Sequence, residues 1–162
     1  MRIEDLINRF EFYAENHPEV KHDPANRSSR AFLNLDLESL QEAVTSGLKF
    51  PSILIQTPGV EKDGNYDNLN EAFSFTYIVL NSSRKKQKRE LISQAKSISD
   101  TIFSRFLTDV QTLDFLYGVI DGSDEGAFGP TNEIYGWAVS LVISSPFDGE
   151  LKADNWLDLM EK

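Results

Sequence analysis

The chain contains no cysteine, and this absence excludes several kinds of chemistry at once. Without thiols there can be no disulfide bonds, no thiolate metal ligands and no cysteine nucleophile. Histidine is also scarce: the chain has two, His17 and His22, and both lie in or beside a polar segment that holds two prolines. Because a metal site needs three or four converging ligands, we expect both histidines to be solvated loop residues, and we expect no metal or other cofactor.

Long apolar runs are missing as well. No stretch of about 18 apolar residues occurs, and the N-terminal segment MRIEDLINRF contains acidic residues where a signal peptide needs an apolar core. We therefore expect a soluble protein without a membrane partner, made and kept in a cytoplasm. With 162 residues, 40% of them hydrophobic, the chain is expected to fold as a single domain over residues 1–162.

Recognisable catalytic motifs are absent from the sequence. The serines form no Gly-x-Ser-x-Gly elbow, and neither histidine lies near a predicted strand end, where a triad base is expected. No glycine-rich loop with a lysine opens a helix, so a phosphate-binding loop is not indicated. An enzymatic alternative would need an acid-lined pocket, for instance around Asp121–Glu125, that raises the pKa of a carboxylate. We therefore expect a protein that is not an enzyme.

Positive charge is scarce and concentrated in one place. The net charge of −10 argues against general nucleic-acid binding, because phosphate neutralisation needs a basic face. Outside one short run the chain holds 11 basic residues against 26 acidic ones. Within that run, five of the 16 basic residues occupy six consecutive positions. The five residues, called the cationic run below, are Arg84, Lys85, Lys86, Lys88 and Arg89.

Two interpretations of the cationic run stay open. We expect it to crowd the start of a helix, where the helix dipole and mutual repulsion disfavour positive charge. The simpler interpretation is a solvated face that aids solubility. The alternative is a contact with an acidic surface on another subunit or partner, and the rest of the same molecule is such a surface. Head-to-tail contact between unlike patches generates rings when the rotation closes.

Hydrophobic periodicity predicts helices and strands that do not strictly alternate. A polar loop is expected over residues 18–30, and exposed loops that gain order only against a partner are expected over 61–69 and 121–131. The tail that contains Trp156 is expected to form one helical turn that packs against the rest of the domain. The predicted helices are residues 3–15, Asp36–Thr45 and Arg84–Thr108, the last capped by Asn81, Ser82 or Ser83. The predicted strands are residues 52–57, 72–80, 112–120 and 133–144.

This order predicts an α+β fold with a largely antiparallel four-strand sheet. The strand over 52–57 should pair with the strand over 72–80. One long helix should cross one face of the sheet, and the N-terminal helices should cover an edge or part of the other face. The predicted helix–sheet contact joins Ile92, Ile98, Ile102 and Phe106 to the sheet face that bears either Phe75, Tyr77 and Val139 or the residues that alternate with them. Tyr135 and Trp137 are expected to be core or sheet-face residues.

The order of elements resembles the tail terminator and tail-completion proteins of long-tailed bacteriophages. The matching pieces are Met1–Asn16, the hairpin of Pro51–Thr57 and Ala72–Leu80, the helix Arg84–Thr108, and the strands Thr112–Ile120 and Glu133–Ser144. The segment Asn132–Trp137 running into Pro146, with Trp156 beyond it, is similar to prophage-encoded proteins of gut bacteria. The insertion that holds Asp36–Thr45 departs from the simplest family pattern.

The resemblance implies a structural, non-catalytic protein that forms a ring, commonly a hexamer. Such a ring stops polymerisation of the tail tube and presents a surface for the head. The implied partners are other copies of the chain, the tail tube and head-completion proteins, first in the cytoplasm of the bacterial host and then in the virion. The alternative is a non-viral α+β module that binds a protein or small ligand through its loops.

Overall fold

The computed structural model describes residues 1–35, 47–65, 68–116, 118–131 and 133–146. These ranges contain two α-helices, α1 (Ile3–Asn16) and α2 (Lys88–Thr112). The helix predicted over Asp36–Thr45 and the helical turn predicted at Trp156 lie outside the described residues. The six strands are β1 (Phe32–Leu35), β2 (Ser52–Gln56), β3 (Gly59–Asn65), β4 (Asn68–Ser82), β5 (Val119–Phe128) and β6 (Ile134–Pro146).

All six strands belong to one mixed sheet. Their order is β1-β2-β4-β6-β5, with β3 paired to β4 outside this path. β1 runs parallel to β2, and all other neighbours are antiparallel. The expected α+β class is therefore confirmed. The expected four-strand antiparallel sheet agrees only roughly, because β1 and β3 are additional strands and β1 introduces a parallel pair.

The predicted pairing of residues 52–57 with residues 72–80 is confirmed. β2 and β4 are antiparallel, and Ile55 lies opposite Tyr77 in their register. β4 extends beyond the predicted strand at both ends and also pairs with β6 from Asn70 to Ser82. β4 is thus the central strand against which the other elements are placed.

The prediction that residues 61–69 form a loop is wrong, although Glu61 and Lys62 are exposed as expected. β3 and the start of β4 form a hairpin there, and Lys62 lies opposite Glu71 with its Nζ 3.7 Å from Oε1. The sequence of β3, GVEKDGN, shows no alternation of apolar and polar side chains. Backbone pairing with β4 forms this strand, so hydrophobic periodicity could not reveal it.

The strand predicted over residues 112–120 begins later than expected. α2 continues to Thr112, and a 3-10 turn over Asp114–Leu116 separates it from β5. The loop predicted over residues 121–131 is therefore largely strand, with a register shift at Asp121. Most side chains of β5 are exposed whichever face they lie on, so the alternation typical of a half-buried strand is missing.

α2 packs its apolar stripe against β4 and β6. Ile98, Ile102 and Phe106 are buried in this main core as predicted, whereas Ile92 is only half-buried. Neither described helix is long and apolar enough to cross a membrane. The sheet contributes the predicted residues Phe75, Tyr77 and Val139 to the same core.

α1 lies on the same face of the sheet as α2, which corrects the expectation that it covers an edge or the other face. α1 packs over β1 and β2, beside α2. The ring centroid of Phe10 lies 4.9 Å from that of Tyr77 and 5.4 Å from that of Phe106. Because Phe10 contacts both the sheet and α2, a single apolar core joins the two helices to the strands.

The opposite face of the sheet is divided into an apolar and a polar half. In the polar half, Thr76 Oγ1 lies 2.8 Å from Ser140 Oγ, and Val142 is 37% exposed. A groove of about 720 Å³ runs over this half. The apolar half holds a second buried cluster of Leu33, Leu48, Leu54, Ile78, Leu80 and Ile134.

Candidate assembly surface

The cationic run lies in the connection between β4 and α2. Arg84, Lys85 and Lys86 precede the helix, whereas Lys88 and Arg89 belong to its first turn. The prediction that all five residues crowd the helix start is therefore wrong for three of them, because the dipole acts mainly within the first turn. Only Lys88 and Arg89 are placed where the helix disfavours a cation.

The helix begins later than predicted because the expected caps make other contacts. Asn81 Oδ1 accepts a hydrogen bond from the Ser82 amide at 2.9 Å, and Asn81 Nδ2 donates to Gln94 at 3.1 Å. Gln87 occupies the cap position instead, and its amide donates to Glu90 Oε2 at 2.9 Å. Glu90 thereby places one acid beside the positive end of the helix.

All five residues of the cationic run are exposed. None of them forms an ion pair with another described residue. Lys86 Nζ donates to the neutral amide of Gln94 at 2.9 Å, and this contact supplies no opposite charge. Solvent is thus the main screen for this charge in the described chain.

Two aromatic side chains of β6 lie beneath lysines of α2. Lys88 Nζ is 5.2 Å from the ring centroid of Tyr135, and Lys96 Nζ is 5.3 Å from that of Trp137. Both distances allow cation–π attraction. Both rings are half-buried at the margin of the core, which agrees with the expected sheet-face position. We call the cationic run together with Lys96, Tyr135 and Trp137 the basic–aromatic surface.

β5 gathers acidic side chains on one edge of the sheet. Asp121, Asp124 and Glu125 are all exposed, and together they are called the acidic edge below. Among the described strands β5 pairs with β6 alone, so its outer backbone edge is available. Ser144 Oγ donates to Asp121 Oδ2, and Trp137 Nε1 donates to Glu125 Oε2 at 2.9 Å. These carboxylates lie on an exposed strand, and Asp124 also lines the groove over the polar half of the sheet.

The expectation that both histidines are solvated loop residues is wrong for His22. The His22 ring is buried, its Nδ1 accepts the Ala31 amide hydrogen at 3.0 Å, and its Nε2 lies 3.4 Å from Glu11 Oε1. These contacts hold the segment 18–30 against α1. In the described ranges no three histidine, aspartate or glutamate side chains are close enough together to hold a metal ion.

His17 is half-buried where α1 ends against α2. Its Nε2 lies 2.8 Å from Thr101 Oγ1, and its Nδ1 accepts the Glu19 amide at 3.3 Å. Because the Thr101 hydroxyl donates to Ile98 O, Nε2 carries the hydrogen in the bond to Thr101. Burial lowers the pKa of His17 below its ordinary value, and the charge of Glu19 acts in the opposite direction.

Sequence reasoning missed a buried polar cluster between the two helices. Asp109 is 2% exposed and accepts hydrogen bonds of 2.7 Å from Arg9 Nε and from the Tyr13 hydroxyl. Arg105 Nε lies 3.1 Å from the other carboxylate oxygen. Burial by itself raises the pKa of Asp109, but the hydrogen bonds from Tyr13 and Arg9 and the charges of Arg9 and Arg105 lower it below its ordinary value. The cluster joins α1 to α2, and two clefts of about 380 Å³ and 270 Å³ border it, the first lined in part by Arg9 and the second in part by Tyr13 and Arg105.

The chain matches no protein-family model and no curated protein sequence. Its function is therefore inferred from its own surfaces. The two that stand out are the cationic run and the acidic edge, because each presents charge of one sign without a compensating ion pair in the described residues. The histidines and Asp109 are accounted for by contacts that stabilise the fold.

Proposed function

We propose that the chain is a structural, non-catalytic protein that assembles head-to-tail into a ring, and that this ring is a tail terminator or tail-completion element of a long-tailed bacteriophage. The observation that carries the proposal is the presence of two exposed, oppositely charged surfaces on one chain. The cationic run lies at one end of β4, and the acidic edge lies on a different strand, β5. Unlike surfaces on one subunit favour head-to-tail contacts, and these close into rings when the rotation permits.

The fold supports the same proposal. The strands β2, β4, β6 and β5 are consecutive antiparallel neighbours, and α2 lies across β4 and β6 at their centre. We infer that this four-strand unit is the antiparallel sheet shared with the phage proteins, and that β1 and β3 are additions to it. The long helix and the N-terminal helix α1 complete the order of elements on which the resemblance depends.

The proposed role follows from the geometry of a ring. A closed ring of this chain would cap the end of a tail tube and present a second surface to a head-completion protein. Assembly would take place in the cytoplasm of the bacterial host, and the ring would remain in the virion. No catalytic group is needed for this role, since capping depends on contacts between surfaces.

Native mass spectrometry combined with negative-stain electron microscopy tests the proposal. We expect particles whose mass is a whole multiple of 18.4 kDa, with six copies amounting to about 110 kDa, and we expect a central opening in the images. Genes for a tail tube and a tape measure should lie beside the gene for this chain. A protein that stays monomeric at every concentration would contradict the proposal.

The alternative function is a monomeric α+β module that binds a protein or small ligand. One observation favours it: the groove of about 720 Å³ on the polar half of the open sheet face. Its lining includes Thr57, Ser74, Thr76, Asp124 and Ser140, which offer hydroxyl and carboxylate groups for hydrogen bonds. A monomer in solution that binds a ligand over this face would support the module instead of the ring.

A further inference from the structure

We propose that the contact between copies joins the Lys88–Tyr135 site of one copy to the acidic edge of the next, with Asp124 as the leading carboxylate. This inference rests on the proposed function and names the two surfaces through which the ring would close. It is carried by a comparison of two sites on the same helix. In one of them the lysine has a carboxylate partner within the chain, and in the other the lysine has no ion pair with a described residue.

The first of these sites surrounds Lys96. Its ammonium group lies 5.3 Å from the ring centroid of Trp137 and forms an ion pair of 2.8 Å with Asp100, one turn later on α2. Trp137 in turn donates to Glu125, a residue of the acidic edge. A lysine, an aromatic ring and carboxylates therefore already combine on this face of the molecule.

The second site surrounds Lys88, which lies on the same side of α2 as Lys96 because eight residues span about two turns. Lys88 Nζ lies 5.2 Å from the ring centroid of Tyr135. The position one turn later, where Lys96 has its aspartate, is Ile92 in this case. Ile92 is half-buried, and Lys88 has no ion pair with a described residue. The site thus offers a cation, an aromatic ring and an apolar side chain, and no described carboxylate pairs with its lysine.

Asp124 has the properties that the Lys88 site requires of a partner. Its side chain is exposed and makes no hydrogen bond or ion pair with another described residue, whereas Asp121 and Glu125 are held by Ser144 and Trp137. It lies on a strand whose outer edge is unpaired in the described chain, so a neighbouring subunit can approach it. Arg84, Lys85 and Lys86 beside the Lys88 site would meet the remaining charge of the acidic edge.

Complementary variants test this arrangement. The basic variant carries Lys85→Gln, Lys86→Gln and Lys88→Gln, and the acidic variant carries Asp124→Asn and Glu125→Gln. In a head-to-tail contact each variant lacks one of the two surfaces and retains the other. We expect each alone to associate at least about tenfold more weakly than the wild type. An equimolar mixture should form a complex of two chains and nothing larger, because only one intact contact remains between the two variants.

A control variant carries Lys21→Gln, Arg27→Gln and Arg30→Gln, three exposed cations away from the β4–α2 connection. It changes the net charge by the same amount as the basic variant and should assemble like the wild type. Circular dichroism and thermal melting would establish that all variants fold. Sedimentation velocity then gives the size of each assembly.

The outcomes separate this inference from the proposed function. If the wild type forms a ring and the basic variant forms it equally well, the surfaces named here are wrong while the ring stands. If both variants dissociate but their mixture yields no two-chain complex, the partner of the basic–aromatic surface is not the acidic edge. A wild type that never assembles would overturn the inference and the proposed function together.

Discussion

Asp109 lies on the apolar stripe of α2, three residues after Phe106, where a carboxylate has to find partners. Tyr13, Arg9 and Arg105 supply them from two helices. An acidic residue within an apolar helical stripe is visible in the sequence, and it indicates a buried ion pair. The identity of the partners could not be predicted, because Tyr13 and Arg9 lie about a hundred residues away in the chain and only the packing of α1 beside α2 brings them close.

Replacing Asp109 by asparagine should destabilise the protein by about 3–5 kcal/mol, because the charge of Arg9 is then left without its anion in a largely buried position. Chemical denaturation measures this change in the free energy of unfolding. Asp100→Asn is the matched control, since it breaks the exposed pair with Lys96 on the same helix and should cost less than about 1 kcal/mol. Equal costs for the two substitutions would mean that the Asp109 cluster does not stabilise the fold.

The pKa of His17 predicts how stability depends on pH. Since folding lowers this pKa below 6.5, the unfolded chain binds more protons than the folded one near pH 6. Neutral His17 makes its full contribution to the free energy of unfolding above the pKa that this residue has in the unfolded chain. This contribution is lost as the pH falls below that pKa. We expect His17→Gln, which retains a donor for Thr101, to reduce the loss of stability between about pH 7.5 and about pH 5.5. Identical pH profiles for the two proteins, measured by urea denaturation, would exclude this role.

At the scale of elements, helices and strands were predicted correctly where one face is buried and the other is exposed. α2 buries one side, and burial alternates along Phe73–Tyr77 of β4 and Val139–Ile143 of β6, so the apolar residues of these segments recur at the period of a helix or a strand. β3 and β5 are formed by backbone pairing and carry mainly polar or small side chains, and β1 has only four residues. These strands left no periodic signal, so β3 was predicted as a loop, β5 was predicted partly as a loop and in a shifted position, and β1 was not predicted as a strand.

The packing of α2 on the sheet can be tested with neighbouring residues. Phe106 is fully buried, and its ring lies 6.0 Å from that of Phe75 and 5.4 Å from that of Phe10. Phe106→Ala should therefore cost about 3–5 kcal/mol of unfolding free energy. Leu107→Ala, at a position 37% exposed, should cost much less. An unchanged denaturation midpoint for Phe106→Ala would reject this packing.

The pairing of β4 with β6 predicts a position at which only glycine fits. A Cβ atom added at Gly136 would overlap the carbonyl oxygen of Val79, whereas a Cβ at Gly126 on β5 would meet no atom within 4 Å. Gly136→Ala should destabilise the protein by about 1–3 kcal/mol, because the backbone of β4 or β6 has to shift. Gly126→Ala serves as the control and should be nearly neutral. Thermal melting of the two variants compares them, and equal midpoints would contradict the register of β4 and β6.

At the scale of the whole molecule, the sequence located one charged surface and left the other undetermined. The cationic run is contiguous in the chain, so its residues were identified before the fold was described, although the helix begins later than predicted. The 26 acidic residues are spread along the chain. Pairing of β5 with β6 places Asp121, Asp124 and Glu125 on one exposed edge, and long-range pairing of this kind is not encoded in local periodicity.

Self-association that depends on this charge is the central claim. Sedimentation velocity tests it on the wild type and on the variant with Lys85→Gln, Lys86→Gln and Lys88→Gln, each in about 0.05 M and about 0.5 M salt. Substituting the three exposed lysines should leave the stability of the monomer within about 0.5 kcal/mol of the wild type. The account predicts a closed multimer for the wild type at low salt, and dissociation at high salt or in the variant. A wild type that sediments as an 18.4 kDa monomer at low salt, or equal assembly in all four samples, would contradict it.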